Sequence, residues 1–222
     1  MPHPPIVLAN ASASYRGRTV FSGIDLTIRA GERVALLGRS GAGKSTLIGL
    51  IHGQAARDIA LVPQAAALVR TLSVFHNVYM GRLDRRSTLH NLRTLVRPAK
   101  ADVEAVRGVL ARVDLGEALW ARAGELSGGQ QQRVSVARAL YDGRPILLAD
   151  EPVSALDRRQ GAAILERLTE HHATVIVALH DVPLALAQTN RIVVLDAGGI
   201  VLDAPARDLD AGTLARFYEA AA

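Results

Sequence analysis

Gly38-Arg39-Ser40-Gly41-Ala42-Gly43-Lys44-Ser45 has the residue types and spacing to grip phosphate. Its glycines let the backbone curl until successive N–H groups point inward at phosphate oxygens. A helix starting at Lys44 to Thr46 adds the positive end of its dipole. Lys44 can reach the outer phosphates, and Ser45 can ligate Mg²⁺. A chance match of this pattern in such a chain arises about one per cent of the time. Lys44 and Lys100 are the only lysines; every other cationic side chain, histidine aside, is arginine. A compact ammonium suits a phosphate cradle better than a planar guanidinium fork does. These residues predict a nucleoside triphosphate site.

Other groups can act on a phosphate held there. Ile146-Leu147-Leu148-Ala149-Asp150-Glu151 reads as a buried parallel strand ending in carboxylates. Asp150 can support Mg²⁺, and Glu151 can orient or deprotonate a water. A solvated acidic turn is the plainer alternative, weakened by the uncharged run before it. His180 ends the next apolar run, Thr174–Leu179, where a γ-phosphate contact competes with a purely structural role. Gln64 ends a shorter run, Asp58–Pro63, and taken alone is as well explained as a polar loop residue.

Ser127 is an N-cap candidate for an amphipathic helix through Tyr141, with Gly128 and Gly129 leaving the first N–H groups open. This is a second anion-ready helix start. One chain has no use for two such sites on a single nucleotide; two chains facing each other would.

The elements that must carry these groups follow from pattern. Arg33–Leu37 is an apolar run entering the glycine loop. Ile6–Asn10 and Ile24–Ile28 read as strands, with a polar turn at Ser14–Arg18 between them. Tyr15 in that turn can pack on the core or stack on a base. Helical periodicity runs from Leu72 to Arg122, with Val74, Val78 and Leu83 on one face and Val103, Val106, Val109, Leu110 and Val113 on another. Asp157 can cap a helix from Arg158. A hairpin around Ala197-Gly198-Gly199 and a short helix near Leu214–Tyr218 close the chain.

The chain has 222 residues, 49% of them apolar, which is the size of one domain with a proper core. It has no cysteine, which excludes disulfides and thiolate metal sites. No secretory leader or membrane span is expected, so a cytosolic protein is. The net charge of +5 raises the question of a nucleic-acid partner, but the arginines are scattered and only 4% of residues are aromatic. A solvated basic surface is the better reading.

With Leu126-Ser127-Gly128-Gly129-Gln130 added, the chain resembles the nucleotide-binding subunit of ABC transporters over nearly its full length. The phosphate loop, Gln64, this pentapeptide, Asp150-Glu151, Ser154-Ala155-Leu156-Asp157 and His180 occur in the family's order. The resemblance implies an α/β P-loop NTPase fold: a mainly parallel core sheet, a small antiparallel β portion and a helical subdomain near residues 65–140 within one ABC ATPase domain, 1–222.

It further implies ATP and Mg²⁺ as ligands. Tyr15 would stack on adenine, and Gly38, Arg39, Ser40, Gly41, Ala42, Gly43, Lys44, Ser45 and Thr46 would wrap the phosphates. Ser45, Gln64 and Asp150 would serve the metal. Glu151 would be the catalytic base, with His180 on the γ-phosphate and Gln64 on the attacking water. Ser127, Gly128, Gly129 and Gln130 would complete the site of a second copy in a head-to-tail homodimer, with Asp157 at the interface. Two membrane-spanning permease subunits and an external solute-binding protein would be the partners, with no nucleic acid, and the chain would sit on the cytoplasmic face of the membrane.

Asn77–Leu83, Leu126–Arg133, Leu148–Leu156 and Thr213–Tyr218 are similar to phosphonate importers. In one respect the chain departs from the family: Gln64 follows Lys44 by only 20 positions. A β-hairpin and a longer connection normally lie between them, so the antiparallel portion is expected to be shortened. Rival readings are a non-transport ABC ATPase acting on nucleic acid or ribosomes, and an ATP-binding subunit with impaired hydrolysis.

Overall fold

The structure is a computed structural model. It describes residues 3–15 and 17–219, without the side chains of Tyr15, Arg18, Tyr218 and Glu219. Strand β1 (Ile6–Tyr15) pairs antiparallel with β2 (Arg18–Ile28) in a sheet of their own. Both run further than the apolar cores of the sequence suggest: Ser14 pairs with Thr19 and Tyr15 with Arg18, where a polar turn is predicted. The reason is the small side chains. Ala11 and Ala13 turn inward while Ser12 and Ser14 face solvent, so the period of two continues through residues too small to read as a strand.

Strand β3 (Arg33–Leu37) leads through the glycine loop into α1 (Lys44–Ala55). A single turn of 3-10 helix separates α1 from β4 (Ile59–Val62), so the shortened connection contains no hairpin. Helices α2 (Val74–Tyr79), α3 (Thr88–Val96), α4 (Lys100–Ala111) and α5 (Gly128–Asp142) fill the chain between β4 and β5 (Ile146–Asp150). Then come α6 (Arg158–His171), β6 (Thr174–Ala178), α7 (Val182–Gln188), β7 (Arg191–Asp196), β8 (Gly199–Pro205) and α8 (Ala211–Glu219). Val74 and Val78 are fully buried, but Leu83 is not with them. It lies in a 3-10 segment broken at Arg82 (φ −124°, ψ 21°), which turns it off the α2 face.

The main sheet has the order β4-β5-β6-β3-β7-β8, parallel except for β8. Its parallel strands are buried on both faces, as a parallel sheet demands, while the edge strand β8 is half exposed. On β3 the alternation sorts the two cores. Val34 and Leu36 face Leu47, Ile48 and Ile51 of α1 together with Phe21, Leu26 and Ile28 of β2. Ala35 and Leu37 face the opposite core, which holds Val134 and Leu140 of α5 and Leu165 and Leu168 of α6. Because β3, β4, β5 and β6 run the same way, their C-terminal ends share one edge, and ligands of open α/β sheets bind there.

Candidate active site

Register brings the functional residues together. Leu36 of β3 and Asp150 of β5 both pair with Ala178 of β6. The Glu151 N–H then donates to Ala178 O at 3.1 Å and the Leu179 N–H to Leu36 O at 3.2 Å. Gly38, Glu151 and His180, each just past its strand, therefore leave the same sheet edge. One strand further out, Val62 pairs with Ala149, which brings Gln64 beside them.

The glycine loop is set by contacts that only glycine tolerates. Gly38 has φ 141°, and a Cβ there would stand 2.3 Å from Leu195 O. Gly43, in the left-handed region at φ 98°, is the N-cap of α1, and a Cβ would stand 2.8 Å from Val20 Cγ1. No side chain caps α1, so its first N–H groups stay available to an anion. Ala42 N–H donates to Arg39 O at 3.1 Å, closing the turn.

Lys44 is 6% exposed, and its ammonium donates to Gly38 O at 2.8 Å and Arg39 O at 3.1 Å. Burial lowers its pKa, and the carboxylates of Glu151 and Asp150 oppose that shift. The loop's own carbonyls thus hold the cation in place beside the cavity.

That cavity, of about 240 Å³, is lined by Val20, Ser40, Gly41, Gly43, Lys44, Ser45, Thr46, Gln64 and Glu151. Asp150, the last residue of β5 and next to Glu151, is 6% exposed, with a buried Oδ1 that has no hydrogen-bond partner among the described residues. That unpaired carboxylate oxygen, with the Ser45 hydroxyl and the Gln64 amide that line the cavity, makes an all-oxygen donor set, the chemistry Mg²⁺ takes. The residues fit that ion.

Glu151 is held at φ 51°, a left-handed conformation costing a non-glycine residue about 1–3 kcal/mol. The strain turns the chain sharply after β5. Ser154 then bonds back to Glu151 O through both its N–H (3.3 Å) and its hydroxyl (3.1 Å). The Glu151 carboxylate meets the His180 ring, whose Nε2 donates to Oε1. Beyond this pair lies a second cavity of about 380 Å³, bordered by Ser154, Asp157, Arg158 and Asp181. The Arg158–Asp181 ion pair (3.2 Å) at its rim is a contact the motif pattern does not reveal.

The remaining candidates stand apart. Ser127 is the N-cap of α5 in a full capping box: Gln130 N–H donates to Ser127 Oγ at 3.3 Å, and Ser127 N–H to Gln130 Oε1 at 2.9 Å. Gly129 is pressed on the chain after β5, its Cβ position 3.1 Å from Ala155 O, whereas Gly128 faces open space. None of Ser127, Gly128, Gly129 and Gln130 lines the cavity over Lys44. Asp157 caps α6, accepting from Gln160 N–H at 2.9 Å. The Tyr15 side chain lies outside the described residues.

Sequence reasoning missed Arg138. Its guanidinium donates to Ala67 O at 3.1 Å and Ala66 O at 3.3 Å, just beyond Gln64. The available signal was an arginine on the otherwise uncharged stretch of α5, from Val134 to Leu140.

Comparison with known proteins points to one family. The ABC transporter family profile matches residues 21–154. The phosphonates import ATP-binding protein PhnC 1 of Pseudomonas savastanoi pv. phaseolicola is 39% identical across 91% of this chain and 86% of that protein. The phosphonates import ATP-binding protein PhnC of Thiobacillus denitrificans is 38% identical across 91% of this chain and 88% of its own length. A dimeric bacterial ABC transporter cassette superposes with TM-score 0.79 at 28% identity, covering 90% of this chain and 98% of that one. A dimeric post-hydrolysis cassette bound to ADP and Pi gives TM-score 0.77, also at 28% identity over 90% and 98%.

Proposed function

The chain belongs to the ABC transporter family, and from that premise we propose that it is the ATP-hydrolysing subunit of an importer for phosphonate or a related phosphorus oxyanion. The observation that carries the hydrolytic part is the cavity where Lys44, Ser45, Gln64 and Glu151 converge, with the buried Asp150 next to Glu151 in the chain. The cargo rests on the names of the phosphonate-import relatives.

ATP would lay its phosphates in the glycine loop, taking N–H groups from Gly41 to Thr46 and the ammonium of Lys44. Lys44 would exchange its bonds to Gly38 O and Arg39 O for phosphate oxygens, a charge-assisted gain. Ser45, Gln64 and Asp150 would hold Mg²⁺, which when bound supplies neutralising charge to the phosphate oxygens. A water placed between Gln64 and Glu151 attacks the γ-phosphorus in line. The new P–O bond forms as the bond to the bridging oxygen breaks, ADP leaves, and the water's proton passes to Glu151. His180 orients the Glu151 carboxylate before attack and faces the γ-phosphate once the pair separates.

Half of the phosphate's surroundings comes from a second copy in this reading. No residue of the α5 tip lines the Lys44 cavity, and a side chain at Gly128 would meet nothing within 4 Å. Two copies arranged head to tail would bring Ser127, Gly128, Gly129 and Gln130 of each to the other's ATP, as a second set of N–H donors. The dimeric cassettes of similar structure support this arrangement. No helix among the described residues is long and apolar enough to cross a membrane. In this reading permease partners carry the solute across. The loop after Gln64 and helices α2 to α4 would meet them at the cytoplasmic face, and an external binding protein would deliver the solute.

The test is ATP turnover by the chain reconstituted with candidate permease and solute-binding subunits, with and without a phosphonate. Phosphonate-stimulated turnover that is absent in the Glu151→Gln variant is expected. Turnover equal in wild type and Glu151→Gln would leave only an ATP-binding subunit.

A further inference from the structure

Helix α3 carries its apolar face outward. Residues along a helix turn by about 100° each, which puts Leu89, Leu92 and Val96 on one side and Thr94 on the opposite side. Thr94 is 2% exposed, whereas Leu89, Leu92 and Val96 are 77%, 64% and 87% exposed. Leu95, half exposed, flanks the ridge.

The inward face is held by polar contacts instead. Ser87 caps the helix. Tyr79 Oη donates to Asn91 Oδ1 at 2.9 Å, and Asn91 donates to Leu83 O at 2.9 Å. His90 and Arg86 both meet the buried carboxylate of Asp102, at 2.9 and 3.2 Å. Folding therefore fixes α3 without using its leucines, and these remain as surplus apolar surface.

The charge around the ridge has one sign. From Arg85 to Ala101 there is no acidic residue, while Arg85, Arg86, Arg93, Arg97 and Lys100 are cationic. Arg85 and Arg86 are engaged by Asp142 and Asp102. Arg93 and Arg97 are exposed along the flank of the ridge next to Leu89, and no ion pair among the described residues involves them.

We propose that this face of α3 lies against an anionic phospholipid surface, with Leu89, Leu92 and Val96 entering the acyl boundary and Arg93 and Arg97 at the headgroup phosphates. An apolar ridge with guanidinium groups on one flank and no carboxylate on its own helix suits a surface that is oily in depth and negative at its face. The arginine stems can follow the ridge while their heads stay with phosphate. Such a contact supplements the grip of permease subunits and sets the angle at which the chain rests on the bilayer. It uses no residue of the nucleotide site.

The test floats the full chain with vesicles of phosphatidylcholine containing phosphatidylglycerol, and with phosphatidylcholine alone. Wild type should float with the anionic vesicles only, and less so as salt rises. Leu89→Ser with Val96→Ser, and separately Arg93→Gln with Arg97→Gln, should each weaken vesicle binding about tenfold or more. These positions are exposed, so thermal unfolding and ATP turnover should stay at wild-type values. Turnover thus reports on the ATPase reading separately from flotation. Absence of flotation, equal flotation on neutral vesicles, or variants that float like wild type would overturn the proposal. So would variants that lose binding only when the vesicles carry the permease, which would make the ridge a protein-docking face.

Discussion

Arg138 and Ala67 tie the helix headed by Ser127 to the loop that presents Gln64. The guanidinium donates at 3.1 Å to Ala67 O, and at 3.3 Å to Ala66 O. Burial lowers the Arg138 pKa, yet an arginine so shifted remains a cation. Ala67 sits at φ 44°, so its carbonyl is turned toward α5 at some conformational cost. A rigid helix thus links the Ser127 tip with the loop beside the cavity.

The first prediction follows from that link. Arg138→Ala takes the donor from the half-buried Ala66 and the exposed Ala67 and should cost about 0.5–1.5 kcal/mol of stability. The loss should be local as well as global. Amide exchange at residues 65–68 should rise more than in β5 or β6. Arg138→Lys offers one ammonium in place of a fork and should restore only part of both. Unchanged exchange in the loop would show that the guanidinium does not hold it.

Glu151→Gln keeps the shape at the strand end but removes the proton acceptor. ATP binding should persist while turnover falls by about 10²–10⁴-fold. If ATP closes two copies on each other, the variant should accumulate as a dimer in ATP, seen by light scattering. A monomer under those conditions, with ATP bound, would contradict closure.

Lys44→Ala removes a charge-assisted contact that glutamine or water cannot replace. ATP affinity should fall by about 10- to 100-fold, the equivalent of roughly 1.5–3 kcal/mol. Calorimetric titration measures it directly.

Much of this site was legible because its chemistry is local in sequence. The phosphate loop, Asp150-Glu151 and the Ser127 cap each need particular residues at fixed short spacing, and the structure has each where its neighbours predict. The parallel core was legible too, since strands buried on both faces read as unbroken apolar runs such as Val175–Leu179. The Lys44-to-Gln64 spacing announced the missing hairpin, and α1 does lead to β4 through a single 3-10 turn. What escaped depends on contacts distant in sequence. Nothing near Arg138 says that Ala66 and Ala67 will lie beneath it. The left-handed turn at Glu151 escaped because it is imposed by the fold around a residue that does not favour it. The outward apolar face of α3 escaped for another reason: periodicity shows that a helix has a face, not which way the face points.

Trans completion of the site can be separated from a self-contained one by mixing two inactive proteins. Glu151→Gln lacks the base, and Ser127→Arg blocks the α5 tip. In a head-to-tail pair of one of each, one site has a wild-type base and a wild-type tip from the other copy. Mixing should recover turnover, to about a quarter of wild type if pairing is random and sites act independently. If each chain used its own tip, no mixture would recover anything.

His172 gives the chain a defined acid sensitivity away from the site. It is 3% exposed, its Nδ1 donates to Arg144 O at 2.7 Å, and its Nε2 has no partner among the described residues. Burial pushes its pKa from the usual 6.5 down to about 4, and the adjacent His171 adds to the shift against the Arg144 carbonyl. Between those values the unfolded chain binds a proton that the folded chain refuses. Stability should therefore be unaffected by this group above pH 6.5 and decline as pH falls toward 4, by up to about 3 kcal/mol. Other groups titrate in the same range, so the readout is a comparison. His172→Asn keeps an N–H near Nδ1 but cannot take up the proton. Its urea midpoint should fall less steeply than wild type between pH 6.5 and 4, and parallel curves would mean that His172 is free to protonate in the folded chain.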